Sequence, residues 1–454
     1  MDPIDPASEP PPPPGPTHRW VRTAARTTHA LLALSAVAAA VCLYFYFGRE
    51  SFRPGHTERA GWAPLLVSLC AVGLFGTAAL VKPYLLTVRR CALMAATATL
   101  IFLTGIGVTW YIVSHDRVTD TIVGTPLMSE RDSTAFLAKK LPGVELRKIP
   151  TGVFVQSSKF TSPEEVEMSG FVWQRYDADV PGTSMGVVFP EATGGDDEME
   201  KMYDTRSTDG RRLKGWHFKV TLRQNFNYQH YPLDKQNVWL RMWSRATFTN
   251  DILVPDFASY PPWEYGRIGL DQDTVTSGWS PYYTGWSFAT HDYTMTQGLT
   301  DWDKPFKSAP ELYFNVGMER EWAGPMMGRL IQSFFISAVM FLALFVYTKD
   351  DSKNPRFGFS TWTAISFAVT LLLVVVVDQQ QIREIAGDTS LTYLEYLAIS
   401  QYIVIMGIFA NAILLGTDTD RRLLEWRDNM LATLLYWPVL VGLFFGFTVM
   451  VFAG

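Results

Sequence analysis

A membrane protein of mixed class is the fold this sequence predicts: an antiparallel β-sandwich outside the bilayer, with three apolar helices before it and four after it. Three observations carry that prediction. First, the 454 residues carry a formal net charge of −5 and 18% charged residues, yet the average hides a division into apolar and polar stretches. Apolar runs lie near 28–47, 63–81, 91–113, 326–347, 360–377, 394–415 and 430–453, and each is long enough to cross a ~30 Å hydrocarbon core as a helix. Second, the polar stretch at 116–325 is rich in strand-like alternation and has almost no long helical period. Third, Cys42, Cys70 and Cys91 all lie in or beside the apolar runs, so disulfides do not hold the polar domain together.

The elements follow in chain order. Residues 1–26 form a disordered cytosolic tail, whose first part carries the Pro10–Pro14 run. Residues 27–115 supply three membrane-spanning helices, the first acting as an uncleaved anchor. Basic residues cluster before the first run (Arg19, Arg22, Arg26), between the second and third (Lys82, Arg89, Arg90), after the fourth (Lys349, Lys353, Arg356) and before the seventh (Arg421, Arg422, Arg427). If all seven runs cross, these sets share one side, which is the cytosol by the positive-inside rule. Arg49, Arg53 and Arg59 oppose that bias, partly balanced by Glu50 and Glu58. The polar domain and the C-terminus are then extracellular or periplasmic, in a plasma (inner) membrane crossed many times.

Residues 116–149 read as an external linker and 150–322 as the sandwich. Val153, Val155 and Ser157 face opposite to Phe154 and Gln156. Val166, Met168 and Gly170, with Phe171 and Trp173, form the hairpin partner, turning at Ser162-Pro163-Glu164. Further strands are expected at 215–226, 237–244, 285–296 and 310–320, punctuated by Gly194-Gly195, Asp209-Gly210 and Gly298. Glu191, Asp196, Asp197, Glu198 and Glu200 lack regular ligand spacing and read as a solvated acidic loop rather than a cation site. His217, His230 and His291 are too scattered for a metal centre. No nucleophile–base pair, phosphate loop or dinucleotide fingerprint is present, so no catalytic residue, metal, cofactor or nucleic-acid partner is expected. Residues 323–454 hold the last four helices.

The run near 360–377 is the least uniformly apolar. Thr363, Ser366 and Thr370 recur at helical spacing, and the same face continues through Leu373, Val377, Gln380 or Gln381, and Glu384. Repeated around an axis, these residues would line a pore with hydroxyl rings, apolar constrictions and a charged mouth. Serine and threonine bonding within their own bundle is the plainer alternative. A second register would line the pore with Gly358, Trp362 and Ile365.

The loop Tyr231-Pro232-Leu233-Asp234-Lys235-Gln236 resembles the aromatic-Pro-apolar-Asp-x-Gln signature of the pentameric ligand-gated ion channels, the Cys-loop receptor superfamily. Gln224 and Val238 stand where the flanking cysteines are expected, a departure similar to prokaryotic members. Asp209-Gly210, Trp243-Ser244 and the segment 310–320 follow in the family's order, and the resemblance covers 150–454. Residues 1–115 lie outside it; those three helices would brace the assembly, bind lipid or dock a partner. The first pore-domain helix also lacks the family's mid-helix proline.

The resemblance implies a homopentamer gated by a small-molecule or proton agonist, passing inorganic ions and surrounded by membrane lipids. It implies a ligand site lined by Trp243, Phe248, Tyr293, Trp302 and Phe306, whose aromatic faces would suit an amine. It implies gating contacts through Tyr231, Pro232 and Asp234, with Arg320 as the partner of Asp234. Glu164 or Glu165 would compete for that arginine, and Pro232 would press on the 384–392 linker. Asp378 and Glu384 at the outer mouth and Lys353 and Arg356 at the inner one nearly cancel, and the acidic outer domain leans selectivity toward cations. Two other classes stay open: a seven-span receptor without a pore, and an accessory transporter subunit.

Overall fold

Hydropathy splits the chain, and the computed structural model divides along nearly the same lines. It describes residues 18–48, 62–115, 122–177, 185–193, 198–208, 210–245, 251–260, 268–293, 309–346, 361–387, 391–416 and 429–453. One compact unit gathers 1–116, 330–379 and 395–454; the other gathers 117–329 and 380–394.

The first unit is helical. Helices α1 (His18–Gly48), α2 (Trp62–Val81) and α3 (Val88–His115) precede the β-rich segment. Helices α5 (Ala323–Val346), α6 (Thr361–Ala386), α7 (Tyr393–Gly416) and α8 (Met430–Ala453) follow it, α4 being a short helix in the other unit. Helices α5 to α8 share a core made by Ile336, Met340, Leu344, Ala368, Val375, Ala398, Ile405, Tyr436 and Leu440. Polar ties cross it: Gln401 Nε2 donates to Ser333 O at 3.1 Å, and Tyr436 O–H to Ser337 O at 2.8 Å. Such bonds have no competing water in hydrocarbon.

Among the described residues, six helices are long and apolar enough to cross a membrane: α1, α2, α3, α5, α7 and α8. The chain is therefore a multi-pass membrane protein by these helices. The fifth expected span, α6, forms over 26 residues; the side chains of 361–365 lie outside the described residues, and over the described remainder α6 is not one of the six. Its final third carries Asp378, Gln379, Gln380, Gln381, Arg383 and Glu384.

Helix α3 lies along α8 with two glycines at the seam. A Cβ at Gly105 would fall 2.5 Å from the Phe445 ring, and one at Gly442 would fall 3.0 Å from Phe102. The two rings sit 5.5 Å apart between centroids. Absent side chains let two backbones approach and let each ring fill the other helix's notch, which is how helices associate where tails are as apolar as leucine.

The second unit contains two sheets. Strand β1 (Thr125–Leu127) and helix α4 (Glu130–Lys140) build the stretch expected to be a linker. Ser129 caps α4, accepting from Asp132 N–H at 3.3 Å, with acidic residues in the first turn and Lys139 and Lys140 in the last. The remaining strands are β2 (Arg147–Ser162), β3 (Glu165–Tyr176), β4 (Val187–Val188), β5 (Glu198–Arg206), β6 (Arg212–Arg223), β7 (Lys235–Ser244), β8 (Asp251–Pro255), β9 (Leu270–Val275), β10 (Trp279–Thr290) and β11 (Pro310–Arg320). One sheet runs β1-β10-β11-β7-β4; the other runs β5-β6-β3-β2-β8, with β9 also on β2.

The second sheet corrects the expectation of a purely antiparallel fold, because β2 pairs β8 and β9 in parallel. The β2–β3 hairpin turns where expected, and Val153, Val155, Val166 and Met168 are all fully buried. Across the sheets, Ser158 Oγ donates to Met318 Sδ at 3.8 Å, and Phe160 stacks on Trp279 at 4.4 Å. Strand β11, flanked by β10 and β7, is buried almost throughout, whereas β3 and β7 alternate. The expected strand at 285–296 instead spans 279–290, and the one at 215–226 ends at 223.

The α3–α8 seam leads to a stability prediction. Gly105→Leu should overpack it and cost ~1–3 kcal/mol, read as a lower melting temperature in detergent. Adding Phe445→Ala should recover part of that loss; an unchanged melting temperature in Gly105→Leu would disprove the seam.

Candidate functional site

The loop between β6 and β7 is closed without cysteine. Buried Gln224, at one expected cysteine position, donates from Nε2 to Trp239 O at 2.5 Å and accepts Trp239 N–H on Oε1 at 3.3 Å. Trp239 adjoins Val238, the other such position. Inside the loop, Gln236 Nε2 donates to Asn227 O at 2.7 Å and to Asp234 Oδ2 at 3.1 Å, while Asn227 N–H donates to Gln236 Oε1 at 3.2 Å. The Tyr231–Pro232 peptide is cis.

Asp234 and Arg320 meet as the sequence reading expected. Arg320 Nε and Nη2 donate to Asp234 Oδ1 and Oδ2 at 2.7 and 3.1 Å, and Arg320 N–H reaches Asp234 O at 3.3 Å. The carboxylate is 1% exposed and the guanidinium side chain 14%. Three rings surround the cation: Trp279 at 4.1 Å, Tyr231 at 4.8 Å and Tyr228 at 6.0 Å. Burial pushes the Tyr228 phenol up to about 12, against the pull of Arg320.

The competing acids are placed elsewhere. Glu165 pairs with Arg223 at 3.0 Å, because β3 and β6 are neighbours in register there. Glu164 offers its backbone carbonyl to Gln224 N–H at 2.8 Å.

The end of α6 and the chain leading to α7 belong to this same unit, since residues 380–394 cluster with the strands. Tyr393 N–H donates to Gln229 O in the loop at 2.8 Å. Gly387, at φ +69°, lies against the β2–β3 turn, where a Cβ would stand 3.1 Å from Pro163 Cβ. Arg329 Nη1 donates to Gln381 Oε1 at 3.1 Å. Pro163 and Gln229 thus make contacts with this stretch, a role the sequence reading gave to Pro232.

Along α6, Ser366, Thr370, Leu373, Val377, Gln380 and Glu384 are all exposed, with Leu373 at 62% and Val377 at 52%. The opposite face, with Ala368, Val375, Asp378, Ile382 and Ala386, is buried. The expected stripe is therefore one continuous face turned away from the bundle core. Thr370 also donates to Ser366 O at 2.9 Å, as an intrahelical hydroxyl does. The side chains of Thr363, Trp362 and Ile365, and the whole of Gly358, lie outside the described residues, as do Lys353 and Arg356. Asp378 is corrected: it is 4% exposed and turned inward, so of the two outer-mouth acids only Glu384 stays on the stripe.

The expected ligand residues are partly described. Phe248, Trp302 and Phe306 lie outside the described residues. Trp243 and Tyr293 meet edge to face, 6.1 Å between centroids, and both donate to Glu311, Trp243 from Nε1 at 2.8 Å. Glu311, 8% exposed, also receives Arg241 at 3.3 Å and faces His291 Nδ1 at 3.0 Å. Arg241 bridges to Glu191 and lies over the Trp243 ring at 5.4 Å. That ring face, expected to meet an amine, carries the protein's own guanidinium. Glu191 is thus half-buried in an ion pair rather than solvated, and its partial burial raises its carboxyl above the usual range despite Arg241. Glu198 and Glu200 lie on strand β5, and Asp196 and Asp197 are outside the described residues. Sequence reasoning missed Glu311 and Arg241; a carboxylate in the otherwise apolar run of β11 was the available signal.

No family model matches the chain. No curated protein matches it either.

Two predictions follow from the ion pair. Arg320→Gln should cost ~3 kcal/mol by stranding a buried carboxylate. The double variant with Asp234→Asn should lose less than the two single losses added together in denaturant titrations; strict additivity would show that the groups do not couple. The fold holds Tyr228 protonated, so that contribution is intact below the ordinary value of 10.0 and is lost as pH rises toward about 12. Tyr228→Phe should flatten the fall in stability over that window.

Proposed function

We propose that the chain is one subunit of a homopentameric ion channel, in which the β-rich unit senses a small molecule or protons and α6 lines the pore. The observation that carries this reading is the membership of α6. Its middle, with Ala368 and Val375, packs in the helical bundle, while residues 380–394, at its other end, belong to the unit built by the strands. A displacement in the strands therefore acts directly on the end of that helix. The Arg320–Asp234 pair supports the reading, since it ties the loop to the last strand residue before α5.

The exposed stripe of α6 supports the pore assignment. A helix beside water does not need the uniform apolar surface of one facing lipid, which accounts for a polar final third. Thr370 and Ser366 would ease partial dehydration of an ion, and rings of Leu373 and Val377 would close the conduit by dewetting. Glu384 at one end leans the selectivity toward cations. The β-rich unit and the C-terminus are outside the cell or in the periplasm on the orientation set by the basic loops.

Single-channel recording of the purified full chain in planar bilayers tests the proposal. Conductance gated by ligand or pH is expected, and its absence under every ligand, pH and voltage condition would favour a receptor without a pore. Leu373→Ser should wet the constriction and favour opening, shifting half-activation at least severalfold. Unchanged gating in Leu373→Ser together with altered gating in Ile365→Ser would move the pore to the other register. Particle mass in detergent should correspond to five copies.

A further inference from the structure

The three leading helices carry cations at one end and no acid anywhere. Arg19, Arg22 and Arg26 stand on α1, Lys82 ends α2, and Arg89 and Arg90 open α3, while residues 18–48 and 62–115 contain no aspartate or glutamate. Among the described residues of the helical unit the acids are Asp378 and Glu395, both buried. They gather near the start of α7, where Tyr396 meets Phe447 of α8 at 5.1 Å. The neighbouring Phe445 lies against Gly105, fifteen residues or ~22 Å of helix beyond Arg90. The cations therefore have no carboxylate close by among these residues.

Packing sets these cations at one depth. A Cβ at Gly76 would stand 3.8 Å from Leu32 Cδ1, and one at Gly73 3.3 Å from Ile101 Cδ1, which aligns α1 and α3 against α2. Stepping along each helix from those contacts at ~1.5 Å per residue brings Arg22, Arg26, Lys82, Arg89 and Arg90 into a layer ~6 Å thick. Lys82, at φ +56°, stops α2, and a single 3-10 turn over Pro83–Leu85 returns the chain to α3 at Val88. The layer falls at a bilayer boundary. Twenty residues, ~30 Å of helix, separate Lys82 from Trp62 and Arg90 from Trp110, and eighteen, ~27 Å, separate Arg26 from Tyr44. A hydrocarbon core is ~30 Å thick, and tryptophan and tyrosine favour its two interfaces. Each helix thus puts an aromatic ring at one boundary and a cation at the other, where Trp20 and Tyr84 accompany the cations. Arg19, Arg22 and Arg26 recur on one exposed face of α1, turned from buried Ser35 and Ala39. Arg90 Nη1 is buried, yet it has no hydrogen-bond partner among the described residues.

We propose that this layer binds the headgroups of anionic phospholipids, with a phosphate oxygen accepting from Arg90. Zwitterionic headgroups bring a positive charge with each phosphate and leave the layer unbalanced, whereas net-negative ones neutralise it. A soluble acidic partner would need cations projecting past the helix ends, and five of the six stand at headgroup depth instead. Bound headgroups would hold α1 and the α2–α3 turn at the membrane surface, which gives the leading helices a task of their own. The proposal needs only that these helices cross a bilayer and stands independently of the channel reading.

Lipid retention tests it. The full chain is equilibrated in detergent with equal amounts of dioleoyl phosphatidylglycerol and dioleoyl phosphatidylcholine, washed, and its bound lipid measured by native mass spectrometry. Phosphatidylglycerol should exceed phosphatidylcholine at least fivefold. Arg22→Gln, Arg26→Gln, Arg89→Gln and Arg90→Gln together should cut that excess at least threefold, while Lys139→Gln with Lys140→Gln on α4 should leave it unchanged. If the quadruple variant does not fold, Arg90→Gln alone should cut the excess about twofold and Arg90→Lys should keep most of it. Equal retention of the two lipids, an excess that survives the neutralising substitutions, or an equal fall in the α4 variant would overturn the site. Release of the bound phosphatidylglycerol by inorganic phosphate at about 10 mM would assign the cations to a free anion and overturn it as well.

Discussion

The pairing of Arg320 with Asp234 is the constraint on which the β-rich unit depends. Removing both charges from water costs several kcal/mol per ion, and attraction recovers that only with good geometry and further hydrogen bonds. Those conditions are met here. The guanidinium makes a two-pronged contact and lies under three aromatic faces, while Gln236 supplies the carboxylate with another donor. One interaction therefore fixes the loop, the end of β11 and the side chains of Tyr228, Tyr231 and Trp279. Since α5 begins at Ala323, three positions past Arg320, the same contact sets where the chain leaves the strands.

Polar burial recurs wherever distant segments must hold a single arrangement. Arg241 stands between Glu191 and Glu311, and Glu311 gathers donors from Trp243 and Tyr293. In the helical unit Gln379 bridges Glu395, at 3.2 Å, and Tyr402, at 2.8 Å. Breaking any one partner leaves a buried polar group unsatisfied, which costs more than the net worth of the bond. These networks give each unit a strong preference for one side-chain arrangement over near alternatives.

Much of this was legible in the sequence because it rests on period. The helices follow from apolar length, β2 and β3 from alternation, and the bounds of β11 from a run ending in Glu319-Arg320. The α6 stripe was legible for the same reason, since helical spacing alone sorts Leu373 from Val375. What period could not supply was pairing between remote residues. Glu191 looked solvated because Arg241 lies fifty positions away, and only the fold joins them. Strand β5 is an exposed edge strand with charged residues on both faces, so it offered no alternation to read. Helix α4 was missed because its short polar sequence resembles a linker until Ser129 is recognised as a cap. The parallel placement of β8 and β9 is a topological choice that no local pattern encodes.

The amide closure made by Gln224 has a practical consequence. Where a covalent bridge would respond to the surrounding thiol–disulfide poise, two hydrogen bonds to Trp239 do not. Dithiothreitol should leave the loop's geometry untouched. The three native thiols, Cys42, Cys70 and Cys91, are unbridged and all reside in the helical unit. A fluorophore attached to a single engineered cysteine among the strands would report from chemically silent surroundings.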